Sequence, residues 1–407
     1  MKLLVNALSI TNQSGRNVLV AQLNQLKHWF ADQLDCTILY HQSNQDLIAQ
    51  IPGMNWRRCP GYTSHWLGRA VWERANIDSM AGSIGCDVIY CVSGMTLPTQ
   101  VPQLVLCMNP WAMIPGVPQG FKQQIKASLQ RKQYRNAIAR ADAMVFLSDY
   151  IRQAYQENAN AQAERDCVSY APIDPAVIER AASIGKRNRE RNHIVSVSAM
   201  ARHKNPHVLV KALKQIRQQR IDARLTLAGG WPDPQYRRDV VELIDSLQLT
   251  EHVSLTGWVD DNQLAELYQR ADVFCLLSSS ESFGIPAIEA QCYGTPCVGT
   301  DACAVPEVCG EGGVYVPVND SQAAADQLSR LLTDQAHWHS LHQAALRNVQ
   351  RFRCDVACRS LAHALMRFDS RLQSPLGPQQ QTDDALIFHR AGTLSTFASQ
   401  NSGVMQN

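Results

Sequence analysis

Short apolar runs alternate with longer helix-like stretches along most of this chain, and this alternation constrains its fold more than any other feature. Each run is bounded by turn-forming residues, which is the pattern of buried parallel strands joined by helices. The predicted strands of the first half are residues 3–8, 36–40, 88–91, 104–108, 143–147 and 168–170. Predicted helices cover residues 17–34, 120–139 and 149–157. The pattern predicts an α/β domain.

A polar, strongly basic stretch at residues 181–193 (AASIGKRNRERNH) predicts a linker, after which a second α/β series begins. Its predicted strands are 194–198, 224–228, 253–256, 273–277, 296–299 and 314–316, and its predicted helices are 206–219, 234–247, 260–270, 286–293 and 321–333. Residues 335–368 are expected to be helical with a bend near Phe352, and the tail at 371–407 is polar. A chain of 407 residues is too long for one ordinary core, so two domains with a cleft at the carboxyl ends of their strands are expected.

Composition excludes several classes of protein. The net charge of +2 gives no reason to expect a nucleic-acid-binding protein. The thirteen cysteines have no metal-site spacing, and their scatter favours a reducing, cytoplasmic location. The first residues, MKLLVNALSI, predict a buried strand rather than a signal sequence, and no apolar run reaches the length of a membrane span.

Basic residues accumulate in one part of the first half. No Asp or Glu occurs from residue 88 to residue 141, and the second part of that stretch carries Lys122, Lys126, Arg131, Lys132, Arg135 and Arg140. Such a run is often only the solvated face of a helix. The alternative is a surface at residues 122–140 that attracts anionic lipid headgroups or a phosphorylated lipid acceptor at the inner face of a membrane.

The segment SSSESFGIPAIEAQCYGTPCVGT follows the predicted strand 273–277 and carries the most chemistry. Pro286 suits the start of a helix and Gly294 its end. The free N–H groups at the start of such a helix favour phosphate or sugar oxygens, and Gly284 allows a ligand to approach the backbone. Glu281 and Glu289 lie eight residues apart and would contact different parts of one extended ligand. Taken singly, each is also explained as an ordinary surface acid.

This segment resembles the retaining glycosyltransferases of family 4, which have the GT-B fold of two Rossmann-like domains. The resemblance rests on the Glu-x7-Glu spacing around FGIP, and it extends over residues 194–320 through HKN, LTLAGG, LTGWVDDNQLAELYQRADVF and PEVCGEGGVYVPVND. It implies a first domain at residues 1–180 that binds the acceptor and a second at 194–350 that binds a nucleotide-sugar donor. A crossover helix at 351–370 would follow.

The resemblance assigns roles to residues of the segment from Glu281 to Glu289, called the acidic segment below. In similar enzymes the first glutamate, which matches Glu281, contacts the transferred sugar. Backbone amides near Phe283, Gly284 and Ile285 share that task. The second glutamate, which matches Glu289, holds the ribose hydroxyls of the nucleotide.

The family also has a basic pair that neutralises the departing diphosphate. Lys204 matches the lysine of this pair, but the arginine would fall near Ala199, and here Arg202 stands two residues before the lysine. Either Arg202 supplies the second charge from a shifted position or that contact is missing. The reaction needs fixed positive charge at this place if no metal ion supplies it.

The first half matches the family more loosely. Only Gly15 stands where similar enzymes have two adjacent glycines, and it would let backbone amides approach the donor, with Asn17 expected to cap the following helix. Asn109 stands where relatives carry His or Asp. An amide is no general base, but it can bond a sugar hydroxyl. The alternative for Asn109 is a turn cap before Pro110, and Trp111 would either stack on sugar or pack in the core.

The predicted function is retaining transfer of a sugar from a UDP- or GDP-linked donor to a glycan or lipid-linked glycan, without metal or other cofactor. The family resemblance places the acceptor in bacterial surface polysaccharide or lipopolysaccharide. A dehydrogenase is disfavoured because no G-x-G-x-x-G follows the first predicted strand. A GT-B nucleotide-sugar epimerase and a non-catalytic nucleotide-sugar-binding protein stay open as alternatives.

Overall fold

The computed structural model describes residues 1–113, 121–183 and 189–373 and contains two parallel β-sheets. The strands of the first sheet are β1 (Lys2–Asn6), β2 (Asp35–Tyr40), β3 (Asn55–Arg58), β4 (Val88–Cys91), β5 (Gln103–Cys107), β6 (Ala143–Phe146) and β7 (Asp166–Val168). The strands of the second are β8 (His193–Val197), β9 (Arg224–Ala228), β10 (Val253–Gly257), β11 (Val273–Leu276), β12 (Cys297–Thr300) and β13 (Gly313–Val316). The predicted pair of α/β domains is confirmed.

Both sheets have the strand order of a doubly wound fold. The first runs β3-β2-β1-β4-β5-β6-β7 and the second β10-β9-β8-β11-β12-β13. The central strands β4, β5 and β6 are buried along their whole length because helices cover both faces of the sheet. Each order reverses beside the first strand of its domain, and ligands of such sheets bind beyond the carboxyl ends of the strands at that point.

Helices fill the connections. In the first domain they are α1 (Gln13–Phe30), α2 (Leu47–Gln50), α3 (Trp66–Ile84), α4 (Phe121–Arg140), α5 (Asp149–Ala159) and α6 (Pro175–Ser183). In the second they are α7 (Pro206–Gln218), α8 (Pro234–Ser246), α9 (Asp261–Arg270), α10 (Ile285–Cys292), α11 (Val305–Cys309), α12 (Ser321–Thr333) and α13 (Gln335–Asn348). The last two are α14 (Cys354–Ala357) and α15 (Arg359–Met366). Where a predicted helix or strand exists, its bounds differ from the prediction by only a few residues.

Some elements depart from the prediction. Strand β3 was not predicted because its sequence NWRR is polar and lies at the exposed edge of the sheet. Helix α3 was not predicted because its apolar residues do not form one buried stripe. Residues 181–183 of the predicted linker continue helix α6. The last residue of the predicted linker, His193, begins β8. Residues 184–188 of that linker and residues 374–407 of the predicted tail lie outside the described residues.

The chain returns to the first domain after α13. Residues 349–352 form a 3₁₀ turn at the predicted bend, and the Phe352 carbonyl accepts the Ile173 N–H at 2.8 Å. The Ser169 hydroxyl donates to the Ala357 carbonyl at 2.6 Å. Helices α14 and α15 therefore pack on the first domain, which ties the two ends of the described chain together.

Three aromatic rings join the domains beside the cleft. Tyr170 follows β7 of the first domain, Phe283 belongs to the acidic segment and Phe352 belongs to the returning chain. Their ring centroids lie 5.5–6.1 Å apart, within the range of favourable edge and tilted contacts. Burial of each phenylalanine ring contributes about 1.5–3 kcal/mol, so this cluster holds the acidic segment against the first domain.

Helix α4 leaves apolar side chains on the surface. Phe121, Ile125 and Leu129 succeed one another at a spacing of four residues and expose 78%, 48% and 51% of their surface. Within the described ranges, no helix has the length and the low polarity that a membrane crossing demands. The predicted basic surface at 122–140 thus contains an apolar row that composition alone did not show.

Candidate active site

Two adjoining cavities open between the domains. The C-terminal cavity, of about 720 Å³, is bounded mainly by the loops after β8, β9, β10 and β11 and by the start of α10, with Gln13, Ser14 and Asn17 of α1 opposite. The N-terminal cavity, of about 420 Å³, lies over the first domain. They share Ser14, Glu281, Ser282, Phe283 and Ile285. A ligand in one cavity would meet a ligand in the other beside the acidic segment.

The acidic segment folds as its sequence predicts. Strand β11 is buried and leads through a loop to Gly284, whose φ of +99° starts helix α10. Pro286 lies in the first turn, and Gly294, at φ +68°, follows the end of the helix. A Cβ atom at Gly284 would come within 3.1 Å of the Leu276 side chain, so both backbone angle and space favour glycine there. The N-terminus of α10 faces the C-terminal cavity through Ile285 and Pro286.

Lys204 and Glu281 form an ion pair between Nζ and Oε2 at the wall of the C-terminal cavity. Both side chains are largely buried, with 16% and 13% of their surfaces exposed. The loop after β8, which carries Lys204, is held in place by Asn205. The Asn205 Nδ2 donates to the Leu277 carbonyl at 2.9 Å. The pair joins two loops that follow neighbouring strands, β8 and β11. It therefore presents an ammonium group and a carboxylate to one ligand.

Glu289 lies deeper on α10 and also lines the C-terminal cavity. The Tyr268 hydroxyl donates to its Oε2 at 2.9 Å. Burial raises the pKa of the Glu289 carboxyl, and the Tyr268 hydrogen bond opposes that shift. Tyr268 was not among the predicted site residues, and its long distance from Glu289 in sequence left no local pattern to reveal it.

Arg202 lies outside both cavities. Its Nε lies 3.1 Å from Asp233 Oδ2, its Nη2 lies 3.5 Å from Asp239 Oδ2, and its guanidinium stacks on Tyr236. Ala199 lines the C-terminal cavity but has no charge to offer. Among the described lining residues, Lys204 is thus the sole lysine or arginine of this cavity. The suggestion that Arg202 supplies the second charge from a shifted position is not supported by this arrangement.

The start of α1 differs from its prediction. The helix begins at Gln13, and its cap is Asn12, whose Oδ1 accepts the Gly15 N–H at 2.7 Å. Asn17 was expected to be the cap, which is wrong, because it lies inside the helix and lines the C-terminal cavity. Gly15 stands in the first turn and lines the N-terminal cavity. The helix therefore directs its positive end toward the cleft.

Asn109 lines the N-terminal cavity and is also a turn cap. Its Oδ1 accepts the Trp111 N–H at 3.0 Å, as the alternative to a sugar contact foresaw. Trp111 lines the same cavity and carries the Lys126 ammonium at 5.5 Å from its ring centre. The Asn109 amide still has donors that its turn does not use.

The loop after β9 carries a glycine that its sequence position alone did not explain. Gly229 has a φ of +133°, and a Cβ atom there would overlap the Ser198 carbonyl oxygen. Ser198 and Gly229 both line the C-terminal cavity. Gly230 lines it as well and lies beside the exposed ring of Trp258. Neither glycine nor the tryptophan had been assigned a role.

Glu307 connects the domains beside the site. It belongs to α11, and its two carboxylate oxygens accept the backbone N–H groups of Asp149 and Tyr150 at the start of α5, at 2.6 and 3.0 Å. Burial raises the pKa of the Glu307 carboxyl, while these two bonds oppose the shift. Nearby, the Ser148 hydroxyl donates to the Ser282 carbonyl at 3.2 Å. These contacts hold the acidic segment close to the first domain.

Across the described ranges, no cluster of three or more His, Cys, Asp or Glu side chains is arranged to hold a metal ion. The metal-independent reaction expected from the sequence stays a prediction. None of the thirteen cysteines, all of which lie in the described ranges, forms a disulfide.

Residues 177–348 match the family described as glycosyl transferases group 1. This segment belongs to that family. The group 1 glycosyltransferase segment contains Lys204, Glu281 and Glu289, together with most of the wall of the C-terminal cavity.

Among curated proteins, the segment is similar to N-acetyl-alpha-D-glucosaminyl L-malate synthase of Bacillus anthracis, at 31% identity over 165 residues. The match covers 40% of this chain and 42% of that relative, and other curated relatives are matched over about two fifths of their length as well. The likeness in sequence is therefore to the glycosyltransferase segment and not to whole relatives.

The fold extends further than the sequence likeness. A glycosyltransferase from Rickettsia africae superposes with a TM-score of 0.72 at 16% identity, covering 90% of this chain and 98% of that one. HepE of Anabaena in complex with UDP and glucose superposes with a TM-score of 0.65 at 19% identity, covering 90% and 99%. These likenesses confirm the predicted GT-B architecture over both domains.

Proposed function

We propose that this protein is a retaining glycosyltransferase that moves a sugar from a nucleotide-sugar donor to an acceptor hydroxyl. The observation that carries the proposal is the meeting of Lys204, Glu281 and the N-terminus of α10 on one wall of the C-terminal cavity. That wall offers fixed positive charge beside a carboxylate. A nucleotide sugar needs both, because its diphosphate is an anion and its sugar presents hydroxyl groups.

The donor would lie along the C-terminal cavity with its sugar toward the cleft. Glu281 would accept hydrogen bonds from sugar hydroxyls, together with the N–H groups near Phe283, Gly284 and Ile285. Glu289 would hold the ribose hydroxyls, since it lies deeper on the same helix. HepE is named as a complex with UDP and glucose, so UDP-glucose is the first donor to test, with GDP sugars as the alternative.

In the proposed reaction the bond between the anomeric carbon and the diphosphate oxygen breaks, and the acceptor oxygen bonds to the same face of that carbon. The acceptor proton passes to an oxygen of the departing diphosphate. Negative charge grows on the diphosphate as its bond breaks, and Lys204 and the start of α10 would stabilise it. Gly15, at the positive end of α1, would add to this field from the first domain.

The N-terminal cavity is the proposed acceptor site because it meets the C-terminal cavity at Glu281. Asn109 lines it and has amide donors for an acceptor hydroxyl. We place the acceptor among the glycans and lipid-linked glycans of bacterial surface polysaccharide or lipopolysaccharide, as the family resemblance implies. The unpaired cysteines agree with a cytoplasmic enzyme.

Helix α4 supports a peripheral site on an anionic membrane. Its exposed row of Phe121, Ile125 and Leu129 stands among exposed Lys132 and Arg135, which is the composition of an interfacial helix. The side chain of Lys122, part of the same predicted basic surface, lies outside the described residues. Arg131 is engaged elsewhere, since its Nη1 donates to the Ala112 carbonyl at 2.8 Å. The apolar row would enter the headgroup region while the basic side chains contact lipid phosphates.

Vesicle co-sedimentation tests the membrane site. The double variant Lys132→Glu with Arg135→Glu should bind phosphatidylglycerol vesicles about tenfold or more weakly, since each basic residue contributes about 1 kcal/mol near an anionic surface. Leu129→Ser with Ile125→Ser should weaken binding as well. The matched control, Arg237→Glu with Arg238→Glu on α8, changes charge equally in the other domain. Equal binding by all variants would contradict the membrane site.

Donor turnover tests the catalytic proposal. The purified chain is offered UDP-glucose, other UDP sugars and GDP-mannose in a thermal-shift screen, since binding to the folded chain raises its apparent stability. Release of UDP or GDP is then measured with and without lipid-linked glycans. Donor binding without release would favour the non-catalytic binding protein, and conversion of the donor sugar into its epimer would favour the epimerase. The anomeric configuration of a transferred sugar decides retention.

A further inference from the structure

The N-terminal cavity contains one arginine that the proposed reaction does not use. Arg69 of α3 lines this cavity together with neutral polar side chains such as Asn12, Ser93 and Gln130. The one other charged residue among the described lining residues is Glu281, which is paired with Lys204. Arg69 is therefore the cation that a ligand would meet away from the acidic segment.

Arg69 is held by the loop after β1 and by a glutamate of its own helix. Its Nη1 donates to the Leu8 carbonyl at 3.1 Å, and its Nε lies 3.9 Å from Glu73 Oε1. The same Glu73 oxygen accepts the Asn6 Nδ2–H at 2.7 Å. A guanidinium carries five N–H donors, and no described protein group accepts from Nη2 of Arg69. These contacts set the orientation of the Arg69 guanidinium and leave N–H donors on its Nη2 for a ligand.

The charge of Arg69 is incompletely balanced by the protein. Only 15% of its side chain is exposed, so water solvates it poorly. Burial lowers the pKa of Arg69 and raises that of Glu73, so both groups lose solvation that their long contact does not fully replace. An arginine in such a place binds an anion more strongly than one on an open surface, because the effective dielectric constant is lower.

We propose that Arg69 binds an oxyanion, phosphate or carboxylate, of the acceptor, and that the acceptor is consequently an anionic molecule. The proposal rests on the function proposed above, in which this cavity receives the acceptor. The oxyanion takes the free donors of Arg69 in a charge-assisted contact. The neutral polar residues of the wall take hydroxyl groups of the same molecule, one of which reaches the donor sugar beside Glu281.

Binding of small probes to the full chain tests this site. The chain is first saturated with UDP, or with GDP if the donor screen selects it, so that a phosphate probe cannot occupy the site at Lys204. Glycerol 3-phosphate and glycerol are then titrated by calorimetry. The phosphate should bind and glycerol should not. Arg69→Gln should lower the affinity for glycerol 3-phosphate about tenfold or more, as expected when a hydrogen bond to a charged group is lost.

Three variants separate a binding role from a structural one. Arg74→Gln removes an exposed arginine of the same helix and should change nothing. Arg69→Lys keeps the charge and should recover part of the affinity. Each variant must bind UDP or GDP as the wild type does, which shows that it is folded. If Arg69→Gln does not fold, Arg69→Lys alone should lower the affinity for glycerol 3-phosphate measurably. Equal affinity of wild type and folded Arg69 variants for glycerol 3-phosphate would overturn the proposal.

Further probes distinguish the source of the oxyanion. Dihexanoyl phosphatidic acid as dissolved monomers carries the same phosphate on a lipid, and L-malate carries carboxylates. Tighter binding of the lipid than of glycerol 3-phosphate indicates a lipid-linked acceptor, and the reverse indicates a soluble one. Donor turnover with no anion binding would refute this inference alone, whereas anion binding without any turnover would refute the proposed function.

Discussion

Glu307 of the second domain accepts the backbone N–H of Asp149 in the first at 2.6 Å, across 158 residues of chain. Its other oxygen accepts the next N–H of the same helix, so one carboxylate caps helix α5 from outside its domain. A negative charge at a helix N-terminus is stabilised by the helix dipole. The contact between Glu307 and the start of α5 therefore joins the two domains and helps to hold the cleft closed.

Glu307→Gln should open the cleft. The variant keeps the shape of the side chain but loses its charge, and a hydrogen bond to a charged group contributes about 1.5–3 kcal/mol. Small-angle scattering should show a larger radius of gyration, and kcat should fall about tenfold while donor affinity changes little. Glu311→Gln alters an exposed glutamate close by and serves as control. An unchanged radius and kcat in Glu307→Gln would show that this contact does not hold the cleft closed.

Gly284→Ala should destabilise the protein. Alanine at a φ of +99° is strained by about 1–3 kcal/mol, and its Cβ would also press on Leu276. Chemical denaturation measures the free energy of unfolding. Gly82→Ala is the matched control, because nothing lies within 4 Å of a Cβ there and it lies within helix α3, so it should stabilise by about 0.5–1 kcal/mol. Equal stability of the two variants would contradict the role assigned to Gly284.

Glu289→Gln should separate stability from binding. Because burial raises the folded-state pKa of Glu289 above its ordinary value of 4.5, its contribution to stability is complete below that value and is lost as pH rises through the folded-state pKa. The variant avoids this loss, so the difference between its Tm and that of the wild type should grow in its favour as pH rises above 4.5 and level off once pH exceeds the folded-state pKa. Donor affinity should meanwhile fall about tenfold or more.

The exposed Glu242→Gln serves as control for both measurements. It should follow the wild type in Tm at each pH and in donor affinity. If the difference in Tm between Glu289→Gln and the wild type shrinks with rising pH, the burial of the Glu289 carboxylate has been misjudged. Donor affinity unchanged in Glu289→Gln would remove the ribose contact from the proposal.

Arg202→Gln should have a small effect on turnover. Its guanidinium contacts Asp233 and Asp239 on the surface, and exposed ion pairs contribute at most about 1 kcal/mol. Even if all of that energy were lost from the transition state, kcat would fall only about fivefold. We therefore expect kcat of Arg202→Gln to lie within about fivefold of the wild-type value. A loss of about a hundredfold in a steady-state assay would mean instead that Arg202 swings into the cleft and supplies the family's second charge.

The sequence predicted local features well and distant relationships poorly. The strand, turn and helix of residues 273–294 follow from apolar runs and from Pro286, Gly284 and Gly294, whose backbone preferences act where they stand. Strand β3 escaped prediction because an exposed edge strand needs no apolar pattern. The direction of Arg202 could not be inferred either, since spacing places a residue on a loop without orienting its side chain.

The same limit explains the residues that sequence analysis missed. Tertiary structure alone brings Arg69 to the Leu8 carbonyl and Glu307 to helix α5. Glu307 falls in the stretch PEVCGEGGVYVPVND, to which the resemblance assigned no role, and Arg69 falls in none of the stretches that carry the resemblance. The resemblance to glycosyltransferases covered the second domain, whereas the residues that line the N-terminal cavity come mainly from the first.

Steady-state turnover of the donor by Lys204→Ala tests whether this lysine drives the proposed sugar transfer. Lys204 should stabilise charge on the departing diphosphate, and loss of such a group typically lowers kcat by about 10²–10³-fold. Lys211→Ala, which removes an exposed lysine of α7, should retain wild-type turnover. We expect this large loss with both variants folded. Turnover in Lys204→Ala equal to that of Lys211→Ala would contradict it.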